Sequence, residues 1–140
     1  MSRTYFQRGF GLKSEIGPIL ARTYQSPVIE QLKGMGYEAN AGGIRIKLAK
    51  EFGFCYGVDR AVDYAYQARE RFPQQQVYLT GEIIHNPHVN DQLRSQGIRF
   101  LSDPGESLDL LSAGDVVILP AFGVTIELLE DLVARGCTLV

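Results

Sequence analysis

The chain has 140 residues, 45% of them apolar, with 14 Lys and Arg against 16 Asp and Glu for a net charge of −2, and it contains two Cys and no Trp. A chain of this size buries roughly two-thirds of its unfolded surface and needs no disulfide or metal staple, while two distant cysteines form neither a disulfide framework nor a CxxC pair, which favours a reducing, cytoplasmic location. The near-neutral charge speaks against nucleic acid as the main partner, and no window approaches the ~18 uninterrupted apolar residues of a membrane span, the best one, 116–126, being broken by Pro120 and Gly123.

Residues 1–43 read as an N-terminal helical extension. Its basic residues Arg3, Arg8, Lys13, Arg22 and Lys33 outnumber Glu15, Glu30 and Glu38, and it lacks the apolar stretch of a signal peptide. Ser26-Pro27 predicts a helix start, with proline at the first helical position, and Gly34 and Gly36 predict its end. Gly42-Gly43 is expected to mark the boundary with a main domain over residues 44–140.

From Ile44 onward short strands alternate with amphipathic helices. Ile44, Ile46 and Leu48 alternate with Arg45 and Lys47 as in a first strand. Val58, Ala61, Val62, Ala65 and Phe72 recur at helical spacing until Pro73. A strand at Val77-Tyr78-Leu79 precedes a helix from Pro87 to about Arg94, capped by Asn86 and closed near Gly97. Ile98 to Leu101 is the next strand, followed by a turn at Asp103-Pro104-Gly105 and a short helical segment around Ser107 to Leu111. Val116 to Leu119 is a strand, Thr125 caps a helix carrying Ile126, Leu129 and Val133, Gly136 ends it, and another strand begins near Thr138. The order implies an α/β fold, a mostly parallel sheet flanked by helices, with ligands at the carboxyl ends of the strands.

Three strand-to-helix turns carry the candidate chemistry. In Phe52-Gly53-Phe54-Cys55-Tyr56-Gly57-Val58-Asp59-Arg60, Cys55 lies near a helix N-terminus, where the dipole favours a thiolate able to bind a metal or cluster; a buried, inert cysteine is the competing reading. A cysteine-phosphatase loop would need arginine six positions after Cys55, and that position is Ala61. In Gly81-Glu82-Ile83-Ile84-His85-Asn86-Pro87-His88, His85 precedes an N-cap where phosphate oxygens are favoured, and a satisfied loop histidine is equally open. His88 reads as a solvated first-turn residue, and two Cys and two His on scattered loops make a poor structural zinc site. In the third turn, Leu119-Pro120-Ala121-Phe122-Gly123-Val124-Thr125, Phe122 reads as a core aromatic and Thr125 is the one polar side chain. No GxxxxGK[ST] or GxGxxG nucleotide motif occurs.

Cys55 within Gly53-Phe54-Cys55-Tyr56-Gly57-Val58-Asp59-Arg60-Ala61, followed by Glu82-Ile83-Ile84-His85-Asn86, resembles the 4-hydroxy-3-methylbut-2-enyl diphosphate reductase family of the methylerythritol phosphate route to isoprenoids. Leu119-Pro120-Ala121-Phe122-Gly123, Arg8-Gly9-Phe10-Gly11 and Tyr24-Gln25-Ser26 look like its cyanobacterial and plant branch. The resemblance implies three α/β lobes around a 4Fe-4S cluster, each giving one cysteine, and a two-electron reductive removal of water that yields isopentenyl and dimethylallyl diphosphate. It implies that Cys55 is the first cluster ligand and that His85 holds the diphosphate of the small allylic substrate. Many relatives carry a second diphosphate-binding histidine where this chain has Phe122. It further implies that Cys137 is a packing residue, and that the other two cysteines and the proton-donating glutamate lie beyond Val140. No catalytic residue is then expected within the chain, which is expected to be a first lobe cut before the second cluster-ligand loop. A ferredoxin or flavodoxin is the implied electron donor. Read without the resemblance, the residues equally allow a stand-alone, metal-free diphosphate-binding α/β module or a purely structural domain.

Overall fold

The computed structural model describes residues 9–120 and 122–140; Arg3, Arg8 and Ala121 lie outside the described residues. Two helices come first, α1 (Lys13–Tyr24) and α2 (Pro27–Gly34), then an antiparallel pair, β1 (Glu38–Ala41) and β2 (Ile44–Lys47). The remainder alternates: α3 (Tyr56–Arg71), β3 (Val77–Leu79), α4 (Pro87–Ser95), β4 (Ile98–Phe100), a 3₁₀ turn at Leu108–Leu110, β5 (Val116–Ile118), α5 (Ile126–Ala134) and β6 (Thr138–Leu139).

Four strands form one parallel sheet in the order β4-β3-β5-β6, with Val77 opposite both Ile98 and Val116, and Val116 opposite Thr138. Every residue of β3 and β5 is buried, as expected when both faces of a parallel sheet are covered. On one face Val77, Leu79, Ile98, Phe100, Val116 and Ile118 pack with Val62, Ala65 and Tyr66 of α3, Val89 and Leu93 of α4, and Ile16 of α1. On the other, Tyr78, Val117 and Leu139 pack with Leu111, Leu132 of α5 and Cys137. The chain steps from β3 outward to β4, then returns to β5 on the opposite side of β3 and continues to β6. This reversal puts a topological switch point between β3 and β5, and the crevice at their carboxyl ends is where such sheets bind ligands.

The sheet does not include the strand at residues 44–47. Expected as the first strand of the main domain, it pairs instead with β1, Ala41 opposite Ile44, and Gly42 and Gly43 form the connecting turn at φ +55° and +80°. Two consecutive positive-φ residues are what a tight hairpin of native twist demands, and glycine adopts them without strain. Ile44 and Ile46 remain exposed on this hairpin.

The extension is held to α3 by polar contacts. Gln67, 4% exposed, accepts hydrogen bonds through Oε1 from the backbone N–H groups of Phe10 (3.0 Å) and Leu12 (3.3 Å). Gly9 N–H donates to the Tyr64 hydroxyl at 2.9 Å, and Lys13 Nζ lies 3.4 Å from the buried Asp63 carboxylate. A Cβ on Gly9 would stand 3.0 Å from the Tyr64 ring, so the segment approaches α3 as closely as glycine permits.

The two sheets therefore differ in what they contribute to stability. Phe100→Ala, at a fully buried sheet position, should cost about 3–5 kcal/mol in denaturant unfolding. Ile46→Thr on the exposed hairpin should stay within about 0.5 kcal/mol; comparable losses at both positions would contradict this division.

Candidate functional site at the carboxyl edge of the sheet

Helix α3 feeds β3 through the short segment 72–76, so the helix runs antiparallel to the strand and its N-terminus lies at the carboxyl edge of the sheet. Cys55 is the N-cap of that helix, with extended backbone (φ −66°, ψ 159°). Its side chain makes no capping bond and is exposed, so the thiol is open to an external partner. Gly53, at φ +112°, turns the chain into the helix, and nothing stands within 4 Å of where a Cβ at Gly53 or Gly57 would lie. The loop is thus open around Cys55, flanked by the exposed rings of Phe52, Phe54 and Tyr56.

Cys137 behaves oppositely. It is 8% exposed, and burial followed by the nearby Asp115 charge pushes its thiol up from the ordinary range. It belongs to the core beside Leu132 and Leu139.

Among the described residues no group of three or more His, Cys, Asp or Glu side chains could hold a metal ion. The chemistry present fits one soft ligand, Cys55, with the remaining ligands of any cluster coming from elsewhere.

His85 lies in the loop that leaves the carboxyl end of β3 and leads into α4. Its side chain is fully exposed, with Nδ1 3.0 Å from Glu82 Oε2. The turn beneath it is fixed through one carbonyl: Ile84 O accepts from Asn86 N–H at 2.8 Å and from Asn90 Nδ2 at 3.1 Å. Asn90 is 1% exposed, and its Oδ1 has no hydrogen-bond partner among the described residues.

The helix N-terminus beside His85 is a weaker anion site than the sequence suggests. Pro87 has no N–H, Val89 N–H is capped by Asn86 Oδ1 (3.3 Å), and Asn90 N–H bonds Asn86 O (3.1 Å). His88 supplies the one first-turn donor left over, so the backbone here has little to offer an anion.

Tyr24, at the end of α1, links the two motifs. Its ring stands edge-on to Phe54 (5.9 Å), which precedes Cys55, to His88 (6.1 Å), which follows His85, and to Tyr66 (6.2 Å). The Tyr24 and Tyr66 hydroxyls are 3.2 Å apart, and burial, then the hydrogen bond to Tyr66, pushes the Tyr24 phenol well above its ordinary value. His88, read from sequence as simply solvated, is exposed but has an aromatic neighbour.

The third turn corrects an expectation. Phe122 is not a core aromatic: it is 93% exposed, and Ile126 beside it is 70% exposed. Leu128 N–H donates to Thr125 Oγ1 at 3.2 Å, so Thr125 is committed to capping α5. Tyr24 and Glu82 stand in the sequence only as members of motifs with no role of their own, and Asn90 is unmarked there, although it carried a signal, a polar residue on the helical face of Leu93.

A sequence model of the LytB protein family matches residues 46–140. A 4-hydroxy-3-methylbut-2-enyl diphosphate reductase from Picosynechococcus sp. is 43% identical over 141 residues, covering 99% of this chain and 35% of the relative. One from Gloeobacter violaceus is 44% identical over 146 residues with the same coverage. The chain thus spans about a third of the length of these curated relatives. A solved structure of (E)-4-hydroxy-3-methyl-but-2-enyl diphosphate reductase aligns with TM-score 0.53 and 35% identity over 66% of this chain and 31% of that one. The corresponding Plasmodium falciparum reductase, at 24% identity and TM-score 0.55, shares the fold.

The contrast between the thiols is directly measurable. A water-soluble disulfide reagent should modify Cys55 at least about tenfold faster than Cys137 in the folded chain, because Cys55 is open to the reagent while Cys137 is buried and held as the thiol. Equal rates without denaturant would contradict the burial assigned to Cys137.

Proposed function

This chain belongs to the LytB protein family, and from that membership we propose that it supplies one cluster thiolate, Cys55, and one diphosphate-binding histidine, His85, to a 4-hydroxy-3-methylbut-2-enyl diphosphate reductase. The observation that carries the reading is the pairing of an open, uncapped N-cap cysteine with an exposed histidine at one sheet edge. In this reading residues 1–43 are an N-terminal extension and residues 44–140 the first α/β lobe of three, a division supported by the family match beginning at residue 46. The two further cysteines and the proton-donating glutamate lie in sequence beyond Val140, and the protein is cytoplasmic. Among the described residues no helix is long and apolar enough to cross a membrane.

The reaction removes the allylic hydroxyl as water, consuming two electrons and two protons, and leaves the diphosphate intact. A 4Fe-4S cluster, when bound, supplies the route for those electrons, delivered by a ferredoxin or flavodoxin, and a coordination position for the substrate hydroxyl. The residues of this chain hold and orient. Cys55 offers a thiolate from the N-cap of α3, where the positive end of the helix favours negative charge. The ring of His85 offers a donor to a phosphate oxygen at the mouth of the crevice. The position of Phe122, where many relatives carry a second diphosphate-binding histidine, has no such donor here.

Anaerobic reconstitution of the 140-residue chain with iron and sulfide should leave the monomer well short of one four-iron cluster per chain. A stable stoichiometric cluster in the monomer would contradict the shared-ligand reading. In the longer reductase, Cys55→Ser should abolish cluster-dependent turnover with circular dichroism unchanged, because Cys55 is exposed in a loop. His85→Ala should raise KM roughly tenfold to a hundredfold, the weight of a charge-assisted hydrogen bond. Substrate affinity insensitive to His85→Ala would remove the histidine from the site.

A further inference from the structure

The partner of His85 decides what its ring can do for a phosphate. Glu82 Oε2 is 3.0 Å from Nδ1, and a carboxylate only accepts, so in a neutral ring this contact is a hydrogen bond only with the proton on Nδ1 and the lone pair on Nε2. The backbone supports this choice. His85 is the central residue of a three-residue turn closed by Asn86 N–H on Ile84 O, and buried Asn90 donates to the same carbonyl from behind. In that tautomer Nε2 of the fully exposed ring is an acceptor open to a ligand, and a fully ionised phosphate offers acceptors only. The two cannot bond until Nε2 gains a proton.

We propose that Glu82 holds the neutral His85 ring as its Nδ1–H tautomer, so that capture of a diphosphate through Nε2 is coupled to uptake of one proton. This rests on the assignment of His85 to the diphosphate. The balance is simple: the Nε2 lone pair takes a proton from solution, the imidazolium donates Nδ1–H to Glu82 and Nε2–H to a phosphate oxygen, and no bond of the ligand breaks. Glu82 is the one charged group within ion-pair distance of the ring among the described residues. Of the other titratable groups in the first turns of α4, the His88 ring lies against Tyr24 and Asp91 is held by Arg94 at 3.1 Å. Glu82 thereby acts as a positioning residue, and site and substrate meet with one negative charge fewer between them.

The chain has only two histidines, so its imidazole nitrogen spectrum resolves the question once His88→Gln has assigned the signals. At a pH where the spectrum shows neutral rings, nitrogen-15 shifts should place the His85 proton on Nδ1, and Glu82→Ala, a change at an exposed side chain, should move it to Nε2. Calorimetry with isopentenyl diphosphate in buffers of different ionisation enthalpy should show uptake of about one proton per ligand bound, falling toward zero in Glu82→Ala, whose neutral ring can donate directly. An Nε2–H tautomer in the unmodified chain, or a tautomer unaffected by Glu82→Ala, overturns the inference and leaves the diphosphate role of His85 standing. His85 signals unmoved by the ligand overturn that role and the proton coupling with it.

Discussion

Everything at the carboxyl edge depends on α3 being buried from both sides. Val62, Ala65, Tyr66 and Ala68 press it onto the sheet, and each is at most 3% exposed. Along its other side Gln67, 4% exposed, accepts hydrogen bonds from Phe10 and Leu12, and Asp63, 7% exposed, pairs with Lys13. Burying polar side chains this deeply is costly unless they are hydrogen-bonded, so the extension and the helix support each other. The helix is therefore anchored over residues 62–68 while its first turn and Cys55 stay exposed. Cys55 owes its combination of fixed position and open surroundings to that arrangement.

Much of this was legible in the sequence. The parallel-sheet strands and α3 to α5 follow from period and punctuation, and the caps at Asn86 and Thr125 form the bonds to Val89 and Leu128 that their residue types imply. The hairpin was not legible, for a physical reason. Glu38-Ala39-Asn40-Ala41 has no β-branched or aromatic residue to announce a strand, so Ile44 to Lys47 lacked an evident partner. The glycine pair that closes the hairpin is also the usual sign of a boundary.

The sequence singled out Cys55 and His85, and the fold puts both on exposed loops at helix starts; what surrounds them was not legible. Cys55 and His85 stand out because their residue types suit soft-metal and anion chemistry at helix starts. Tyr24 is remote in sequence from both, and only the docking of α1 on α3 brings its ring against Phe54 and His88. Phe122 was misjudged because an aromatic between two apolar stretches reads as core, whereas the turn after β5 turns it outward to 93% exposure. Capping by Asn86 and the missing N–H of Pro87 leave α4 with little to offer an anion.

The central claim is that the chain contributes one ligand to a cluster shared with sequence it does not contain. Its most direct test joins the chain, anaerobically and with iron and sulfide, to a polypeptide corresponding to the remaining two-thirds of the Picosynechococcus relative, and records the visible absorption and electron paramagnetic resonance of the complex. The account predicts a four-iron signal in the complex, lost with Cys55→Ser and retained with Cys137→Ser. A signal that survives Cys55→Ser, or that depends on Cys137, would contradict it.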